Sequence, residues 1–159
     1  MLKGQCTNIP MMTITVSDLM RKKVDTIEET ASIQETAKKM KDKKVSSLLV
    51  LDIDGKPIGL VTERDLVRKV CINDVRTSEV TNQGIMSSPL ITIDSNSSPS
   101  TAADMMLRHN VRHLLVIDDK SDIGKHIGMI TPLDFTKYQE YTRDGEHKDA
   151  IEEILEYYI

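Results

Sequence analysis

The chain repeats itself, and that repeat limits what it can become. Met20, Thr26, Ile27, Ser32, Ala37, Met40, Val45, Leu48, Leu49 and Val50 recur 66 positions later. Their counterparts are Met86, Thr92, Ile93, Ser98, Ala103, Met106, Val111, Leu114, Leu115 and Val116. Further on the offset becomes 69, so that Gly59, Thr62 and Asp65 recur as Gly128, Thr131 and Asp134. The three extra residues therefore fall between Val116 and Gly128, in a turn, where lengthening costs little. A tandem duplication of a unit of about 60 residues implies two small copies that share a core.

Each copy reads as strand, helix, hairpin, helix. Ser32 precedes Ile33, Ala37 and Met40 at helical spacing, and Glu35 completes a capping box. Ser98 caps the second copy, with Pro99 at the first helical position, where its missing N–H does no harm. Ser47 to Leu51 reads as a buried strand, Asp54-Gly55 as a turn and Pro57 to Val61 as the returning strand; in the second copy a longer polar loop from Asp118 to His126 replaces the turn. Thr62 opens a helix to about Cys71, and Thr131-Pro132 opens its counterpart. The expected divisions are a first unit over 17–72, a linker over 73–83, a second unit over 84–140 and an acidic tail over 141–159. In that tail residues 143–147 read as a break, followed by a helix with Ile151, Ile154, Leu155 and Tyr158 on one face.

Charge and aromatic content exclude several functions. Residues 1–80 carry 14 basic and 12 acidic side chains, residues 81–159 carry 7 and 13, and the last twenty carry two and seven. That distribution lacks the basic footprint of a duplex reader. The aromatic residues are Phe135, Tyr138, Tyr141, Tyr157 and Tyr158, so nothing earlier can stack a base. Nucleic acid is therefore a disfavoured partner. No apolar run is long enough for a membrane span, and the first residues lack a secretory pattern, so a cytoplasmic chain is expected. Cys6 and Cys71 are too few for a disulfide framework, and Cys71 is expected to pack at a helix end. Asp52, Asp54 and Glu63 mimic a calcium-loop spacing, but Pro57 stands where glycine is required and the span reads as a hairpin. The four histidines show no metal-ligand spacing, and no nucleophile–base arrangement recommends an enzyme.

Both copies end in glycine, two apolar residues, threonine, two variable residues and aspartate: Gly59 to Asp65 and Gly128 to Asp134. A threonine N-cap with aspartate three residues on is first of all a helix start. The same arrangement can offer helix N–H groups to a phosphate and a carboxylate to a ribose diol.

With the Val45 to Val50 and Val111 to Val116 strands and the methionine before each first strand, these motifs resemble tandem cystathionine-β-synthase (CBS) domains, the pair called a Bateman module. The resemblance covers roughly residues 17–140. It implies an α/β fold of two β-α-β-β-α units about a pseudo-twofold axis, with clefts between them for an adenosine-containing ligand. Carried over by position, one cleft takes Leu90, Ile91, Val111, Arg112 and His113 with Thr62, Arg64 and Asp65. The other takes Val24, Asp25, Val45 and Ser46 with Thr131 and Asp134. The first holds two arginines and a histidine for phosphates; the second has an acid at Asp25 and no cation close in sequence.

What the resemblance implies is a sensor without chemistry of its own. AMP, ADP, ATP or S-adenosylmethionine would serve as regulatory ligand, no cofactor is required, and an effector protein of unknown identity would read the shifted state. The alternative is a structural dimerisation or protein-interaction module with empty clefts. A homodimer is expected on the closing helices, where Val67, Val70, Phe135 and Tyr138 would otherwise be exposed. The tail helix is expected to dock on that dimer.

Overall fold

The repeat organises the local structure as well as the sequence. In the computed structural model, which describes residues 13–118, 125–139 and 149–158, Ser32 and Ser98 cap two eleven-residue helices, α2 (Ile33–Lys43) and α5 (Pro99–His109). The Ser32 hydroxyl accepts from the Glu35 N–H at 3.3 Å, and the Glu35 carboxylate accepts from the Ser32 N–H at 2.8 Å. Both helices end on a left-handed residue, Lys44 (φ 55°) and Asn110 (φ 52°), which turns the chain into the middle strand.

Two three-stranded sheets follow, each with one parallel and one antiparallel pairing. In the first, β1 (Thr26–Glu28) runs parallel to β2 (Ser47–Leu51), and β2 runs antiparallel to β3 (Pro57–Thr62). The second repeats the order with β4 (Thr92–Asp94), β5 (Leu114–Ile117) and β6 (His126–Ile130). Alternation along the middle strands divides their side chains between two layers. Leu48 and Val50 join the first unit's core, Leu114 and Val116 the second's, while Leu49 and Leu115 meet Leu60 and Met129 between the sheets. Burial on both faces explains why these strands read as continuous apolar runs.

The segments leading into each unit are exchanged. Helix α1 (Val16–Leu19) precedes the first unit, yet Val16, Leu19 and Met20 lie in the second unit's core. Helix α4 (Asn82–Ile85) precedes the second unit, yet Ile85 lies in the first unit's core. The backbone bonds match pair for pair. Arg21 and Met129 exchange N–H···O contacts at 2.9 and 3.0 Å, as Ser87 and Leu60 do at 2.8 and 3.0 Å. The stretch expected to be a linker thus ends inside α4, with Asn82 buried between Thr36 and the Glu28 carbonyl.

This exchange accounts for the repeated glycines. A Cβ at Gly128 would lie 2.5 Å from the Met20 sulfur and 2.7 Å from the Arg21 carbonyl oxygen. At Gly59 it would meet the Met86 sulfur at 2.5 Å and the Ser87 oxygen at 3.1 Å. Each methionine–glycine pair of the repeat is therefore a crossing point of two chain segments. Gly128→Ala should destabilise by about 1–3 kcal/mol through overpacking, and Gly59→Ala by less, because the rigid backbone oxygen lies at 3.1 Å there and at 2.7 Å at Gly128. Urea unfolding of the two variants tests the order.

The closing helices differ from each other. Thr62 caps α3 (Glu63–Asp65), which continues as a π-type turn of helix over Leu66–Cys71. Thr131 caps a 3-10 turn, Pro132–Asp134, leading into α6 (Phe135–Gln139). Val70 and Phe135, expected on an exposed dimer face, are core residues at 1% and 0% exposure; Val67 remains exposed, with Ile72, Val75 and Leu133. The Tyr138 side chain lies outside the described residues. Cys71, expected to be packed, is exposed. Asp52 accepts from the N–H groups of Asp54 and Lys56 inside a hairpin turn.

The last helix, α7 (Asp149–Tyr158), docks on its own chain. It packs against α5 and the 3-10 turn, where Ile151 and Ile154 join Ala102, Ala103, Met106 and Phe135. The expected break at 143–147 lies outside the described residues.

Candidate functional site

Both threonine–aspartate motifs are closed capping boxes. The Asp65 carboxylate accepts from the Thr62 N–H at 3.0 Å and hydroxyl at 2.6 Å, and its other oxygen pairs with Lys69 at 2.9 Å. The Asp134 carboxylate accepts from the Thr131 N–H at 2.9 Å and hydroxyl at 2.8 Å, and Arg21 reaches its second oxygen at 3.3 Å. Each aspartate thus fixes its threonine, and each is engaged by a cation. Asp134 is 2% exposed.

Between the units lies a cleft of about 570 Å³. It takes Val24, Asp25, Val45, Ser46 and Thr131 from one expected set and Thr62, Arg64, Arg112 and His113 from the other, so the two sets share one continuous space. Five expected residues do not line it. Asp65 and Asp134 stand behind their threonines, and Leu90, Ile91 and Val111 pack against the apolar cores. Ile91 nonetheless holds the edge of the sheet, its carbonyl accepting from the Leu115 N–H as that of Asp25 does from Leu49.

The electrostatics correct the contrast drawn from sequence. The half around Asp25 has cations after all: Arg21 and Lys23 both line the cleft. They sit in the strap that crosses from α1 into β1, four and two residues before Asp25, so the expectation of no cation close in sequence was wrong on the sequence itself. With Arg64 and Arg112 they make four cations against Asp25 and Glu63. Among the described residues no carboxylate forms an ion pair with Arg112; burial, then the Arg64 guanidinium, lowers its pKa. An arginine nevertheless stays charged. His113 is not a phosphate-binding cation at neutral pH, because burial, then Arg112 and Arg21, push it down to about 4. Arg108 and His109 end α5 exposed, as a solvated helix terminus does.

One lining residue had no signal in the repeat. Tyr158 comes from α7 and reaches the cleft with its ring beside Arg112, the guanidinium carbon 5.6 Å from the ring centroid.

Comparison with known proteins bears on this architecture directly. The family model described as CBS domain matches twice, over residues 16–71 and 80–141. The chain belongs to the CBS-domain family. An uncharacterized protein of Methanopyrus kandleri is 33% identical over 147 residues, covering 91% of this chain and 74% of its own. Among solved CBS structures, a protein of Pyrobaculum aerophilum complexed with AMP is 28% identical, with a TM-score of 0.67 over 77% of this chain and 90% of that one. A hexameric CBS-CP12 protein from bloom-forming cyanobacteria is 25% identical, with a TM-score of 0.70 over 79% and 67% of the two chains. The tandem CBS pair and its α/β fold stand as the resemblance implied. Among the described residues no helix is long and apolar enough to cross a membrane.

Proposed function

We propose that this CBS pair is a non-enzymatic sensor that binds an adenine nucleotide in the cleft between its units. The observation that carries the reading is the charge of the cleft: Arg21, Lys23, Arg64 and Arg112 converge on a space bounded by two helix-capping threonines. Arginines suit bidentate capture of phosphate. The AMP complex of the Pyrobaculum relative supports an adenosine ligand. S-adenosylmethionine would bring a sulfonium into this cationic site, so AMP, ADP and ATP are preferred to it. Asp25 suits the adenine amino group and not the phosphate. Asp65 and Asp134 act mainly by holding Thr62 and Thr131.

Occupancy would favour one arrangement of the two units, and an effector protein would distinguish it, with a coupling bounded by the ligand's preference for that state. A homodimer remains part of the proposal, carried now by exposed Val67, Ile72, Val75 and Leu133 rather than by Val70 or Phe135. A thermal-shift panel of AMP, ADP, ATP and S-adenosylmethionine tests the reading, since a ligand at 100 times its Kd adds about 2.7 kcal/mol to stability. The nucleotides should raise the melting temperature. Arg112→Gln should weaken the best of them roughly ten- to a hundredfold, the worth of hydrogen bonds to a charged group. Absence of any shift would instead favour an interaction module with an empty cleft.

A further inference from the structure

The C-terminal helix contributes the cleft's aromatic wall. Tyr158 lies one turn beyond Ile154, so burial of Ile151 and Ile154 against α5 directs its ring toward the cleft. Its hydroxyl donates to the Asn110 side-chain oxygen at 3.2 Å, and its ring lies against Arg112, two residues further on. Tyr157 packs edge-on against it at 4.7 Å between centroids. Tyr158 therefore holds the turn between α5 and β5 at the residue that ends the helix and at the residue that faces the cleft.

What Arg112 lacks is as informative. It is repelled by Arg64 and Arg68, the Asp65 carboxylate attracts it only as the smallest of the charges acting on it, and among the described residues no carboxylate forms an ion pair with it. A carboxylate would fix the guanidinium but also cancel its charge and occupy its N–H donors. A ring face attracts the cation while leaving those donors free. At the equivalent place in the first unit stands Ser46, which needs no such support.

We infer that Tyr158 is a positioning residue that holds Arg112 ready for the phosphate of a bound nucleotide, so that docking of α7 and occupancy of the cleft reinforce each other. The inference rests on the nucleotide reading above. By linkage, whatever factor the docked helix adds to nucleotide affinity, the nucleotide must return to helix docking. The tail is then the element through which occupancy is reported at the surface.

The test combines AMP titration calorimetry with hydrogen exchange of the α7 amides in the full chain. Tyr158→Ala should weaken AMP roughly three- to thirtyfold, the range of a cation–π contact. Tyr158→Phe keeps the ring and should bind within about threefold of the parent. Saturating AMP should slow exchange of α7 in the parent and in Tyr158→Phe. It should not do so in Arg112→Gln, whose helix is still anchored by Ile151 and Ile154. If the parent binds AMP while Tyr158→Ala binds equally well and α7 exchange ignores AMP, the inference falls and the nucleotide reading stands. Equal loss of affinity in Tyr158→Phe and Tyr158→Ala would also overturn it, since the hydroxyl and not the ring would then matter. A parent chain that binds no adenine nucleotide brings down both.

Discussion

Ile154→Ala should cost about 2–5 kcal/mol of stability, the usual range for emptying a fully buried isoleucine site. Ile154 is 0% exposed and Ile151 3%. Both lie against Ala102 and Ala103, whose small side chains let α7 sit close to α5, and against Phe135 from the closing helix. Phe135 itself is fully buried, so loss of the helix would uncover the largest side chain of the second core. Glu156, on the exposed side of α7, serves as control: Glu156→Ala should change stability by no more than about 0.5 kcal/mol. Urea denaturation of the pair at neutral pH measures the difference. Indistinguishable midpoints would mean that α7 is not part of the folded core in solution.

The second large effect belongs to His113. Its pKa falls from 6.5 to about 4 on folding, chiefly by burial and then by Arg112 and Arg21. Between those values the unfolded chain takes up a proton that the folded chain refuses. Stability from this group is therefore intact above pH 6.5, declines as pH falls and is fully lost near pH 4, a change of about 3 kcal/mol. His113→Gln has no such proton to gain. Unfolding midpoints from pH 7 to pH 4 should fall more steeply in the parent than in the variant. Parallel curves would show that His113 titrates normally. A phosphate bound beside Arg112 and Arg21 would screen the repulsion and soften the parent's acid limb.

Much of the fold was legible because its signals are local. Ser32, Ser98, Thr62 and Thr131 announce helix starts through side chains three residues away, and the structure places every one of them at an N-cap. The middle strands read correctly because burial on both faces leaves no polar alternation. What was not legible depends on which unit a short segment packs against. Val16 to Met20 look the same whether they cover the first core or the second, so the exchange was hidden. Phe135 and Val70 were misread because a helix's apolar side chains do not reveal whether their cover comes from the same chain. Tyr158 was seen as part of a docking stripe, but no spacing could place it beside Arg112, 46 residues away. The motif aspartates were legible as caps, which is the role their hydrogen bonds fill.

The crossing of the leading segments has a consequence for how the molecule can come apart. Met20 closes over Gly128 and Met86 over Gly59, so each half supplies a piece that the other's interior requires. Neither half is a self-sufficient building block: separated between them, residues 1–80 would keep α1 without its seat and lose Ile85 from their own interior. The halves are clasped like two hooks, and opening one loosens the other. Unfolding is thereby made cooperative across the seam, and a disturbance at the cleft, which lies on that seam, is transmitted to both cores at once.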